Sequence, residues 1–243
     1  MRRLREERTA MRAEIVAGSA QAVRRQHALG KRTARERLDL LLDEDSFLEV
    51  DLHRRSRAGE GRRPHTDGVV AGSGTIEGRR VFVYAQDFTI SGGSLGQAHA
   101  AKIHKVMDLA VATGSPLIGL NDSGGARIQE GVEALHGYGE IFRRHVAASG
   151  VIPQISVILG PCAGGAAYSP ALADFTFMVR GVAQMYLTGP DVVEAVTGER
   201  VGHDELGGVD VHGSRSGVAT VVHDDEETCL AEVRYLVSLL PAN

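Results

Sequence analysis

Hydrophobic and polar positions change period along the chain, and the change marks out its organisation. Residues 1–42 are charged at helical spacing, with Arg2, Arg3, Arg5, Arg8 and Arg12 alternating with Glu6, Glu7 and Glu14. This reads as a solvated helical face laced with i,i+4 pairs. A basic contact for a phosphate-bearing partner is the minority reading. Gly30 looks like a helix stop, and Thr33 with Glu36 has capping-box spacing ahead of Leu38, Leu40, Leu41 and Leu42. Residues 53–67 are a polar, Gly- and Arg-rich loop, expected to be mobile. The runs VVAGSGTI and RRVFVYAQD, joined by Glu77-Gly78, then predict a hairpin. Gly72 and Gly74 inside it are not a dinucleotide loop, since no helix follows and the GxGxxG spacing fails.

From residue 95 the period alternates between helix and strand. LGQAHAAKIHKVMDLAVATG predicts an amphipathic helix with Ala98, Ala101, Ile103, Val106, Leu109 and Ala110 on its apolar face. PLIGLND (116–122) and QISVILG (154–160) read as short buried strands. Each is followed by a Gly-rich turn and a helix, at about 127–148 and 163–173. DFTFMV (174–179) and QMYLTG (184–189) are further short strands, and PDVVEAVTG is a two-turn helix with Pro at its start and Gly at its end. DEETCLAEVRYLVSLL closes the pattern as a last helix. Alternating strands and helices predict an α/β domain with mostly parallel strands.

Composition narrows the function classes. Lys and Arg number 27 against 31 Asp and Glu, a net charge of −4, which gives no electrostatic case for nucleic-acid binding. With only Cys162 and Cys229, a disulfide framework or a four-cysteine zinc ribbon is excluded, and a cytoplasmic location is expected. No apolar run is long enough for a transmembrane helix, and the N-terminus lacks the apolar core of a signal peptide. Glycine is the oddity, at 30 of 243 residues. It implies many places where backbone bends sharply or approaches something closely.

Two glycine pairs carry the chemistry. Leu120-Asn-Asp-Ser-Gly-Gly-Ala-Arg127 and Gly160-Pro-Cys-Ala-Gly-Gly-Ala-Ala167 each lie just past a buried strand and just before a helix. Free N–H groups at a helix start carry partial positive charge. Two such groups converging on one point make an oxyanion hole for an enolate or tetrahedral oxygen. Close helix–sheet packing is the competing explanation for either pair alone. Other chemistry is possible on paper. Gly92-Gly-Ser94-Leu-Gly96 fits the GxSxG pattern of a serine hydrolase, with His136, His145, His203, His212 and His223 as candidate bases. Cys162, near a helix start, is a candidate nucleophile, with a small buried hydrophobe as the default. His99 and His104 are five apart, a poor one-face spacing for a metal, and no metal is expected. Lys31, Arg32, Arg35 and Arg37 read as solvated surface, or as contacts for the phosphate of a ligand.

The stretch DSGGARIQEGVEALHGYGEIFRRHVAASGVIPQISVILGPCAGGAAYSPALADFTFMV (122–179) resembles the carboxyltransferase β-subunits of biotin-dependent acyl-CoA carboxylases, with propionyl-CoA carboxylases the nearest kind. GKRTARERLDLLLDEDSF (30–47), DFTISGGSLGQAHAAKI (87–103), TGPDVVEAVTGERVG (188–202) and DELGG (204–208) support it, and the likeness runs from about residue 20 to 240. The resemblance implies a crotonase-like fold, a ββα spiral, with a helical N-terminal arm over residues 1–50 and a carboxyltransferase N-type domain over 51–243. It implies transfer of a carboxyl group between carboxybiotin on a partner carrier protein and the α carbon of a short acyl-CoA, through an enolate. Carried over by motif, Gly164, Gly165 and Ala126 would be the catalytic N–H donors. Ser123, Gly124, Gly125, Ala163, Ala166, Tyr168, Gly92 and Gly93 would line the substrate, although Tyr168 could equally cap the core.

Family subunits run to about twice this length, and the chain resembles only their N-terminal half. Three accounts follow: the C-terminal half is a separate chain, the sequence is a truncation, or the chain works alone as a decarboxylase of a malonyl or methylmalonyl thioester. A non-catalytic scaffold half and a GxSxG hydrolase are further alternatives. The expected partners are acyl-CoA, a second copy or a C-terminal-half chain, and a biotin carboxylase or carrier subunit, with no nucleic acid and no membrane. An exposed apolar face and self-association, or dependence on a partner chain, are expected with them.

Overall fold

A computed structural model describes residues 1–56 and 64–241. Three helices open the chain: α1 (Arg2–Ala17), α2 (Ala20–Ala28) and α3 (Ala34–Leu41). The break expected at Gly30 falls between α2 and α3, and a second, unexpected break separates α1 from α2. Gly18, at φ 61°, ends α1, and Ser19 caps α2 by accepting the Ala22 N–H. The Thr33–Glu36 capping box forms at the start of α3. Residues 57–63 of the polar loop lie outside the described residues.

The short strand β1 (Leu48–Glu49) pairs antiparallel with β2 (Val69–Ile76), which forms the expected hairpin with β3 (Arg79–Gln86). Gly72 in β2 is glycine for packing, since a Cβ there would strike the Leu48 backbone. The repeating units follow as α4 (Gln97–Thr113), β4 (Leu117–Ser123), α5 (Val132–Ala148), β5 (Gln154–Ala163), α6 (Gly165–Ala171) and β6 (Phe175–Val179). The tail holds β7 (Gln184–Tyr186), α7 (Pro190–Thr197), α8 (His203–Gly207), β8 (Val221–His223) and α9 (Glu226–Leu239). Three boundaries depart from the pattern reading. The helix expected near 127 starts at Val132, after a 3-10 turn and Gly131 at φ 52°. Strand β5 runs on to Ala163. The pattern marks no element between PDVVEAVTG and the last helix, yet His203–Gly207 forms α8.

The sheet order is β1-β2-β3-β4-β5-β6-β8, with β3 through β8 on that path parallel. Alternation along the strands splits the core in two. Phe82, Tyr84, Leu117 and Met178 face α4, α5 and α6, whereas Val83, Ile118, Val157 and Phe177 face α3 and α9. Beyond the main sheet the strand ends form a second, smaller ladder. There Leu95 bridges Ala126, Ser123 pairs Cys162, and Cys162 pairs Met185 of β7. Both Gly-Gly turns lie on this extension.

The faces are pinned together by buried charge. Asp122, at the end of β4, accepts from Lys31 Nζ at 2.6 Å, Arg37 Nη1 at 2.9 Å and Gln26 Nε2 at 3.0 Å. Arg37 also donates to both Glu226 oxygens and to the Leu159 carbonyl. All five side chains are at most 6% exposed. Lys31 and Arg37 are therefore neither solvated surface nor phosphate contacts. Burial lowers the Lys31 pKa, and Asp122 recovers part of it. For Arg37, burial alone would lower the pKa, but Glu226 and Asp122 outweigh it and raise it. Removing one member of such a cluster strands the others as buried charges, at about 3–5 kcal/mol. Asp122→Ala is expected to lower the melting temperature by about 10 °C, whereas Asp39→Ala on the exposed side of α3 leaves it nearly unchanged. Equal melting curves for the two variants would contradict the assignment.

Candidate active site

Both Gly-Gly turns reach the same place. The first leaves β4 at Ser123 and the second leaves β5 at Ala163. They abut so closely that a Cβ on Gly125 (φ +97°) would come within 2.8 Å of the Ala163 carbonyl oxygen. A third segment, the 91–96 loop, closes over the first turn. Gly124 N–H donates to Gly92 O at 3.0 Å, and a Cβ on Gly93 would overlap the Asp122 carbonyl oxygen. Gly92 is partly exposed and Gly93 buried in this contact.

The N–H groups divide into held and free. Leu95 N–H donates to Gly125 O, and Arg127 N–H donates to Leu95 O, both at 2.9 Å. In a parallel ladder the residue between two such bonds turns its own N–H to the opposite side. Ala126 N–H therefore faces away from Leu95, towards the second turn. Among the described residues it has no acceptor, and neither does the N–H of Gly165 or Ala166 in the first turn of α6. Gly164 departs from the expectation: its N–H donates to Tyr186 O of β7 at 3.1 Å. The free donors are thus Ala126, Gly165 and Ala166, with the α6 dipole behind the last two.

The other expected site residues take varied places. Ser123 is fully buried and binds backbone, with its hydroxyl on Gly93 O at 2.7 Å. Gly124 is exposed at the turn. Ala163 presents its carbonyl to Gly125, and Ala166 is buried in the first turn of α6. Tyr168, 41% exposed, leans on the Phe142 ring, with centroids 5.9 Å apart. Gly165 is also tightly packed, since a Cβ would lie 2.7 Å from the Tyr138 ring.

The rival chemistries lack their geometry. Ser94 has relaxed dihedrals (φ −66°, ψ 139°) and donates to Ser91 O at 2.7 Å, so it is no strained elbow. Burial pushes the Cys162 thiol well above its ordinary range, so no thiolate is available there. His145, buried behind α6, has both ring nitrogens engaged, on Gln154 Oε1 at 2.7 Å and Ser169 Oγ at 2.9 Å.

An ion cluster escaped the sequence reading. Arg127 Nη1 pairs with Asp67 at 2.6 Å and Glu130 at 2.8 Å, and Nη2 donates to Ser94 O at 2.8 Å. Both carboxylates also cap α4, Glu130 on Gln97 N–H at 2.7 Å and Asp67 on His99 N–H at 2.9 Å. Negative charge at a helix start is stabilising. The cluster locks the 64–68 and 91–96 segments to the residue after Ala126. Beside it, a cleft of about 770 Å³ is lined by Ser91, Ile90, Thr89, Asp87, Thr66 and Arg35, among others.

Residues 25–243 match the carboxyl transferase domain family. The chain belongs to that family. It is 59% identical over 233 residues to a propionyl-CoA carboxylase beta chain of Saccharopolyspora erythraea, a match covering 94% of this chain and 43% of that protein. It is 56% identical to the methylmalonyl-CoA decarboxylase subunit alpha of Veillonella parvula, over 93% of this chain and 45% of that one. A solved transcarboxylase 12S structure, with methylmalonyl-coenzyme A and methylmalonic acid bound, superposes with a TM-score of 0.96 at 46% identity. That superposition covers 99% of this chain and 48% of the transcarboxylase chain. The chain therefore spans a little under half the length of these relatives. Their fold is the crotonase-like one expected here, built as a mixed α/β sheet with helices on both faces.

Burial lowers the His99 pKa from 6.5 to about 3, aided by the charges of Arg127 and Lys102. The unfolded chain therefore takes up that proton first as pH falls. Stability held above pH 6.5 is lost on the way down to about pH 3, with a slope of about 1.4 kcal/mol for each pH unit. Burial lowers His104 and His145 as well, in the same sense. Thermal melts are expected to fall steeply below pH 6.5. His99→Asn, which keeps a donor near the Nδ1 position and cannot titrate, should flatten part of that slope. An unchanged slope would refute the role of His99.

Proposed function

We propose that the chain is the acyl-CoA-holding half of a carboxyltransferase, moving a carboxyl group between carboxybiotin and the α carbon of a short, propionyl-CoA-like thioester. The carrying observation is the pair of abutting turns with free backbone donors at Ala126 and at Gly165 or Ala166. The donor set fits the thioester half of such a reaction. It offers fixed N–H groups, while the nearby ionisable groups Asp122 and Cys162 are buried. Carboxybiotin, brought by a partner carrier, would supply the CO2 and, once freed of it, the base for the α-proton.

The chain's own part is electrostatic. The thioester carbonyl oxygen sits between the two turns and accepts from Ala126 N–H and Gly165 N–H. As the α-proton leaves, charge builds on that oxygen, and the donors, already fixed by the sheet extension, hold it. One such donor is worth about 2.7–4 kcal/mol in a hydrolase oxyanion hole. The coenzyme chain runs into the cleft beside Ser91, and Tyr168 borders the acyl end. Residues 1–50 act as the arm and 51–243 as the acyl-CoA domain, with α3 of the arm seated on α9.

The relatives named for carboxylases support this reading, as does an exposed apolar stripe on α5. Val132, Leu135 and Val146 are 76%, 63% and 66% exposed, and Ile128 just ahead of α5 is 89% exposed. Such a stripe suits a partner surface, either a second copy or a C-terminal-half chain, together with a biotin carboxylase or carrier subunit. The assembly is assigned to the cytoplasm. Among the described residues, no helix is long and apolar enough to cross a membrane. A second reading, decarboxylation of a methylmalonyl or malonyl thioester, is favoured by the 56% identity to a decarboxylase subunit.

One incubation separates the two. The purified chain is mixed with methylmalonyl-CoA or malonyl-CoA, and propionyl-CoA or acetyl-CoA is followed by mass spectrometry. No turnover above the protein-free control is expected, with biotin-dependent carboxylation appearing once a C-terminal-half chain and carboxylated carrier are added. Turnover by the chain alone would replace the half-site reading with a self-sufficient decarboxylase.

A further inference from the structure

We infer that Ser123 is a positioning residue that decides which N–H of the first turn meets the thioester. The inference rests on the oxyanion-hole reading of the site. Ser123 is fully buried, and its hydroxyl is engaged in two directions. It donates to Gly93 O at 2.7 Å and accepts Gly125 N–H at 3.1 Å. Gly124 N–H is taken by Gly92 O at 3.0 Å. Of the three successive N–H groups at 124, 125 and 126, two are therefore turned into the protein. Only Ala126 N–H is left to face the second turn.

The hydroxyl suits this task because it is both donor and acceptor. Its proton is committed to the Gly93 carbonyl, which leaves a lone pair for Gly125. The same atom ties the 91–96 loop to the turn. Gly125 stands at φ +97°, a conformation with little backbone preference of its own to hold it. Alanine at 123 would leave Gly93 O and Gly125 N–H without partners. The turn would relieve this by rotating Gly125 N–H outward, and the single aimed donor would become two poorly aimed ones. Ser123 touches no substrate in this account, in contrast to the lining role that the resemblance implied.

The test uses the full chain, propionyl-CoA labelled with carbon-13 at the thioester carbon, and amide hydrogen exchange by NMR. In the free wild-type chain the Gly125 amide should be protected about tenfold over Ala126, the worth of one hydrogen bond. Adding propionyl-CoA should slow Ala126 and move the thioester carbon resonance downfield. In Ser123→Ala the Gly125 protection should vanish and the downfield shift should fall by about half or more. The dissociation constant should stay within about threefold, since one polarising hydrogen bond bears more on the developing charge than on ground-state binding. A merely structural serine would change melting temperature and affinity and leave the bound carbonyl shift untouched, and that result overturns the inference. If Ser123→Ala does not fold, the wild-type chain decides: slowing of Gly125 rather than Ala126 on thioester binding overturns it. If propionyl-CoA neither binds nor slows any amide, the oxyanion-hole reading itself falls. Gly125 protection in the free chain still judges the clamp in that case.

Discussion

The buried ion cluster at Asp122 is the constraint on which the rest of the structure depends. Lys31, Arg37 and Glu226 join Asp122 in a buried site, two positive and two negative groups in direct contact. Such a cluster tolerates neither a missing member nor a displaced one. Asp122 immediately precedes Ser123 of the first turn. Arg37 holds the Leu159 carbonyl at the root of the second. Gly160 is glycine because a Cβ there would occupy the space of the Asp122 carboxylate. Helices α2 and α3 at one end of the chain and α9 at the other are thus tied to the base of both turns. The site forms only when the whole chain closes around it.

Above that base, packing and chemistry are the same requirement. Glycine pairs past buried strands admit two explanations, close packing or open backbone donors, and here both hold at once. Gly93 and Gly165 have no room for a side chain, because Asp122 O and the Tyr138 ring stand where a Cβ would go. Because the turns are packed that closely, their remaining N–H groups are fixed before any ligand arrives. Fixed dipoles need no reorganisation when charge appears, which is what makes an oxyanion hole effective. The two carboxylates capping α4 and the Arg127 they share extend this rigidity to the neighbouring loop.

Much of this was legible in the sequence. Hairpin, repeating strand–turn–helix units and both Gly-Gly turns follow from local spacing, since hydrogen bonds and packing partners there are near in the chain. What escaped depends on distant partners. Lys31 and Arg37 look like surface until Asp122, 91 and 85 residues on, is brought beside them. Gly164 looks like a donor until β7, expected as a strand but without a sign of its partner, pairs with β5 and places Tyr186 O against it. Ser123 looks like a lining residue because a hydroxyl next to a glycine pair gives no sign of which way it points. In each case the missing information is a tertiary contact.

On this geometry the turns hold a developing negative oxygen better than a neutral one. Calorimetric titration of the chain with propionyl-CoA and with a nitronate analogue, which carries negative charge where the enolate would, tests it directly. The analogue is expected to bind about 100-fold tighter or more, the lower bound usual for a transition-state mimic. Equal affinities would mean that the N–H groups of Ala126 and Gly165 do not meet the reacting oxygen, and the site would have to be sought elsewhere.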